Sequence, residues 1–167
     1  MDPHVIFENY RRTITDHYFD MRGRVGRGQF WYFILAYILG AIVAAILGAV
    51  VPLPLSEIYN LALLFPVACI GARRLQDTGR DGKLVWALII LGFVSQAADM
   101  LAGASVLALG SWSLIFLAPQ LVVIKLALLA VSIVLIYFWC QRGDPDDNAY
   151  GPPPPVFDPS ARISPSP

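Results

Sequence analysis

Four long apolar runs dominate the chain, and short polar segments separate them. The first, from about Gln29 to Val51, contains no charged residue. A helix needs roughly 20 apolar residues to cross the hydrocarbon layer. The pattern therefore predicts spanning helices over residues 29–51, 56–74, 84–102 and 114–140. Phe30-Trp31-Tyr32-Phe33 and Tyr137-Phe138-Trp139 form aromatic belts at the two ends of the set. Pro52-Leu53-Pro54 stops the first span, and Ser56-Glu57 opens the second. The second span is slightly short and carries Pro66, which predicts a kink that neighbouring groups can satisfy in a membrane. Residues 103–113 are weakly polar and predict a shallow outer turn. Gly40, Ala44 and Gly48 recur four apart, a spacing that lets another backbone approach.

The flanks behave differently. Over residues 1–20, Ile6, Phe7, Tyr10, Ile14, His17 and Tyr18 recur at helical spacing, while Glu8, Arg11, Arg12, Thr15 and Asp16 take the other side. Asp2 suits a cap, with Pro3 at the first helical position. This predicts an amphipathic helix lying in the membrane interface; the alternative is a helix packed on the polar loops. From Gly151 onward, seven of seventeen residues are proline. Such a tail cannot bury apolar surface and is expected to be disordered, a spacer rather than a Pro-x-x-Pro ligand. The expected organisation is a cytoplasmic amphipathic segment (1–28), a four-helix membrane domain (29–140) and a cytoplasmic Pro-rich tail (141–167). In fold class this is an all-α integral membrane protein with its four transmembrane helices in two helical hairpins.

Charge fixes the orientation. Of 12 Lys and Arg residues, all but Lys125 fall in three clusters: Arg11 to Arg27, Arg73 to Lys83, and Arg142 with Arg162. The two outer turns carry none. Four spans place all three clusters on one side, so the positive-inside rule and the span count independently put both termini in the cytoplasm. Net charge is zero, but this average hides the segregation. Composition agrees: 57% of residues are hydrophobic and 14% charged, against about a quarter charged in a soluble domain. The uncharged stretch from Phe30 to Pro54 is too long for the core of a small soluble domain. No signal peptide is expected, since the first apolar run starts near Phe30. Cys69 and Cys140 sit at membrane depth and read as apolar packers rather than a disulfide or metal pair.

Candidate chemistry is sparse. The densest polar segment runs from Arg73 to Lys83. Arg73 and Asp77 can pair one turn apart, Gly79 suits a left-handed helix cap, and Asp81-Gly82 a turn. One reading is architectural: the helix stops, turns and restarts. The other is an anion or lipid-headgroup site in which Arg73, Arg74 and Arg80 hold phosphate. Arg22-Gly23-Arg24-Val25-Gly26-Arg27-Gly28 superficially suggests nucleic acid. It abuts a membrane belt and lacks an element to present base-reading side chains, so no nucleic-acid partner is expected. Arg24, Arg27, Arg73 and Arg74 are expected to cluster, with Asp77 neutralising part of their charge. Asp99 and Lys125 are the ionisable residues in the outer halves of the spans. They are expected to pair at the outer ends of spans three and four, the alternative being part of a polar pathway. The sequence has no His-Glu-x-x-His, no nucleophile elbow and no paired mid-membrane aspartates, so no enzyme, metal or cofactor is expected.

Three ordered motifs carry a resemblance. Gly23-Arg24-x-x-Arg27-x-x-Phe30-Trp31 opens the first span, Arg73-Arg74-Leu75-x-Asp77-x-Gly79-x-x-Gly82 closes the second, and Asn148-x-Tyr150-Gly151-x-x-Pro154 follows the last. Over about residues 15–155 the chain resembles the bacterial inner-membrane family catalogued as domain of unknown function 805. The family usually has His at Gln76, a small Ser at Asp81 and an aromatic pair at Lys83-Leu84. The resemblance implies a small multi-spanning inner-membrane protein of uncharacterised activity. The functional expectation is a non-enzymatic membrane component that contacts anionic lipid or partner proteins through a cytoplasmic Arg-rich face, possible partners including further copies of itself. The alternative is a small transporter or channel component.

Overall fold

The computed structural model describes residues 3–51, 53–155 and 157. They form five α-helices: α1 (Pro3–Thr15), α2 (Arg27–Val50), α3 (Leu55–Gln76), α4 (Leu84–Leu109) and α5 (Ser113–Cys140). No strand occurs among the described residues. Helices α2 to α5 are each long and apolar enough to cross a membrane. The chain divides into two compact units. One comprises α1, α2, α3 and the segment from Gln141; the other comprises α4 and α5.

In the first unit α2 packs along α3. The Tyr37 and Tyr59 rings stack at 5.7 Å, and the Tyr59 hydroxyl donates to the Tyr37 carbonyl at 3.0 Å. Gly40 makes room for this, because a Cβ there would overlap the Tyr59 phenol. Helix α1 packs against both. Tyr10 stacks on Phe33 at 5.3 Å and its hydroxyl lies 2.9 Å from that of Tyr59. Asn9 Nδ2 donates to the Gln29 carbonyl at 3.1 Å. The amphipathic side expected to meet lipid is therefore partly spent on protein, with Asn9 and Thr13 buried there. Glu8, Arg11 and Arg12 stay on the opposite side, joined at 2.8 Å. Both guanidinium groups hydrogen-bond Glu8 and hold its pKa down at about 2. The expected cap, Asp2, lies outside the described residues.

The second unit packs α4 along α5. Helix α4 runs on to Leu109, beyond the expected end near Ala102. Gly103 and Ser105 do not stop it, since the Ser105 hydroxyl bonds back to the Ala102 carbonyl. The break comes at Gly110, with φ +77°. The turn between α4 and α5 is correspondingly short, Gly110-Ser111-Trp112.

The segment after α5 departs from the expectation of a loose tail from Gly151. Asn148 and Gly151 exchange backbone hydrogen bonds at 3.2 and 3.0 Å, and Phe157 lies 5.4 Å from the Tyr32 ring. Proline removes donors and fixes φ, which does not prevent a short segment from docking when its carbonyls find partners. Residues 158–167, where the rest of the expected disorder falls, lie outside the described residues.

Candidate functional site

Helix α3 ends in a built stop. The Gly79 amide donates to Gln76 and the Arg80 amide to Leu75, both at 3.1 Å, and Gly79 sits at φ +71°. This is a Schellman closure, which needs the left-handed residue that glycine supplies. Gly82 then passes close to α3, where a Cβ would come within 2.9 Å of Ala72 Cβ. The turn leaves Arg74 and Asp77 facing inward.

Upstream of α2, Gly23 adopts φ +86° and turns the chain so that Arg24 and Val25 run beside the end of α3. The Val25 amide donates to the Arg73 carbonyl at 3.2 Å. Arg24 Nε donates to Asp77 Oδ1 at 3.1 Å, and Arg74 Nη1 pairs with Asp77 Oδ2. One buried carboxylate thus serves two buried guanidinium groups.

The uncompensated positive charge is met by main-chain carbonyls from the segment after α5. Arg24 donates to Asp146 at 2.7 Å, to Gly151 at 3.1 Å and to Asp144. Arg74 donates to Gln141. The segment is fixed in return: the Asp144 amide donates to the Asp77 carbonyl at 2.8 Å, and Asn148 Nδ2 to the Gln76 carbonyl at 3.0 Å. Gly143 is needed at the closest approach, because a Cβ would collide with the Asp77 carboxylate. Hydrogen bonds involving charged groups are worth about 1.5–3 kcal/mol each, and a buried guanidinium without them is costly. The result is a dry knot that joins three segments distant in sequence.

The expected site residues divide. Arg24, Arg74 and Asp77 form the knot, and Gly79 shapes it. Arg73 does not pair with Asp77 as expected. Three residues of spacing bring Arg74 round to the carboxylate, while Arg73 lies half-buried with its charge toward Asp20. Partial burial of Asp20 opposes its ionisation. The Arg22 amide, the His17 ring and the Arg73 charge outweigh this and hold its pKa below the usual range. Arg80 reaches the Thr78 carbonyl at 3.3 Å. Arg27 is exposed at the start of α2 and, with Arg142, borders a cavity of about 440 Å³ between Gly28, Gly143 and Pro154. The carbonyls of Gln141, Asp144, Asp146 and Gly151 were not singled out by sequence. The Asn148-x-Tyr150-Gly151 motif was the one signal pointing to that segment.

In the second unit, Lys125 Nζ lies 2.5 Å from Asp99 Oδ2 and 3.1 Å from Ser95 Oγ. The pair is deeper than the outer ends expected for it. At about 1.5 Å per residue, Asp99 is roughly 15 Å before Leu109 and Lys125 roughly 18 Å beyond Ser113.

Long apolar helices with a buried, polar closure at one end define a small helical membrane protein. The chain belongs to the family described as protein of unknown function (DUF805), whose profile matches residues 18–152. It is 29% identical over 145 residues to inner membrane protein YhaI of Escherichia coli K12, covering 85% of this chain and 92% of the relative. It is 26% identical over 148 residues to inner membrane protein YhaH of the same strain, covering 84% and 92%. No solved structure matches it.

Proposed function

We propose that this chain is a non-enzymatic inner-membrane component, with its four spans in two helical hairpins and both termini in the cytoplasm. On this reading it contacts anionic lipid headgroups through the cations left outside the knot. The observation that carries the reading is the division among the arginines. Arg24 and Arg74 are consumed by internal bonds, whereas Arg27 and Arg142 are exposed beside the start of the first span. Contact among Arg24, Asp77 and Asp144 supports an even span count without recourse to charge counting, and the positive-inside rule then selects the side. A chain that leaves the knot at Gly82 and rejoins it at Gln141 crosses the membrane an even number of times between. The loop near Asp77 is therefore read as architecture, and headgroup contact moves to Arg27 and Arg142. Oxygen-rich anions suit guanidinium groups in such a place.

The test compares the parent with an Arg27→Gln/Arg142→Gln variant in nanodiscs of mixed lipid. The parent is expected to enrich anionic lipid around itself, less so as salt rises, because exposed attraction is screened over roughly 8–10 Å. The variant should insert normally and lose the enrichment. Equal enrichment by both proteins would sink the lipid reading and leave these arginines as anchors. The second reading, a small transporter or channel component, draws on the depth of the Asp99–Lys125 pair. Ion flux through proteoliposomes separates the two.

A further inference from the structure

The Asp99–Lys125 pair is deep, and it is not enclosed. The two side chains are 39% and 52% exposed. Helix α4 runs from Leu84 to Leu109, and its flank around Asp99 is unusual for an apolar helix. Gly92, Gln96, Asp99 and Gly103 recur at spacings of four, three and four, which places them on one face. Gln96 is exposed, and a Cβ at Gly92 or Gly103 would meet nothing within 4 Å. An amide and an ion pair on an open face near mid-depth would confront hydrocarbon, which charged groups avoid by facing protein. Small residues above and below let a second backbone come close.

We propose that this α4 face is the contact surface for a second copy of the chain. Charge complementarity selects that occupant. In the four described spanning helices the other charged positions lie at helix ends: Arg27 opens α2, Glu57 is in the first turn of α3, and Arg73 and Arg74 are in its last turn. Away from the helix ends, the described spanning helices offer matching charges only through Asp99 and Lys125 themselves. Two copies inserted the same way are related by a two-fold axis along the membrane normal. Gln96 then meets its equivalent, amide to amide. Each Asp99 sits between its own Lys125 and the Lys125 of the second copy, so four charges neutralise one another away from lipid.

The experiment is cysteine cross-linking of the full chain in membranes, in a Cys69→Ala/Cys140→Ser background. Gln96→Cys is expected to give a covalent dimer on mild oxidation. Leu101→Cys, on the opposite side of α4, should not. Linking at position 96 no more than at 101 would overturn the proposal. Asp99→Asn should abolish the cross-link at position 96. A protein so changed that inserts and links as the parent does would show the pair to be an internal brace. If Asp99→Asn fails to insert, Asp99→Lys combined with Lys125→Asp decides: the swapped pair preserves neutrality and should link. An inserted swapped protein that does not link would equally overturn the interface.

Discussion

Arg24 and Asp77 stand 53 positions apart and meet in a buried ion pair, Nε to Oδ1 at 3.1 Å, with side chains only 1% and 4% exposed. A polar loop that merely joined two helices would have no need to exclude water from its charges. Here exclusion is nearly complete, and the price is met by geometry: five main-chain carbonyls, those of Val25, Gln141, Asp144, Asp146 and Gly151, surround the two guanidinium groups. Removing any one group strands others in low dielectric.

Gly143 tests the tightness of the knot. Gly143→Ala places a methyl group where the Asp77 carboxylate lies, so the segment after α5 must withdraw. Overpacking of this kind costs about 1–3 kcal/mol. Gly26→Ala is the control: its φ is −67°, and the added Cβ would stand 3.7 Å from Pro154, an ordinary contact. Thermal unfolding in nanodiscs should show a clear drop for the first variant and little change for the second.

The proposed topology is open to test through the same contacts. Reporter domains fused after Gly79 and after Phe157 should be active on the cytoplasmic side, and one inserted after Pro54 on the other. Activity of the Gly79 and Phe157 fusions on opposite sides would separate the knot's own segments across a membrane, and periplasmic activity at both would rule the proposed orientation out.

The spans were legible in the sequence because apolar length is a direct physical requirement of the bilayer. Their ends were less so. Gly103 and Ser105 read as turn residues in water, yet the helix continues through them until Gly110 takes a positive φ. The arginines and Asp77 stood out by their density. Whether Arg73 or Arg74 would pair with Asp77 could not be read, since spacings of three and four residues both bring side chains together on a helix. The carbonyl partners were illegible for a plainer reason: every residue has a carbonyl, and only folding aims it. Asn148 and Gly151 marked the segment without revealing what it holds.

Glu8 gives a pH signature outside the membrane. Arg11 and Arg12 hold its pKa at about 2, against 4.5 for the free group. A depressed carboxylate contributes stability above its unfolded pKa and loses it as pH falls through the folded value. The α1 ion pairs should therefore persist through pH 4.5 and fade only towards pH 2. Carboxyl carbon chemical shifts of labelled Glu8 report this. A midpoint near 4.5 would mean that the two arginines do not engage it.

The central claim is that Arg24, Arg74 and Asp77 act as one buried network holding the three motif segments together. A double-mutant cycle tests it most directly: unfolding free energies of the parent, Arg24→Gln, Asp77→Asn and the double variant, all in one lipid composition. Each single change should cost about 3–5 kcal/mol, because it leaves buried charge without its partner. The double variant should be less damaged than the sum of the singles, by about 2 kcal/mol. Strict additivity, or single variants as stable as the parent, would contradict the network.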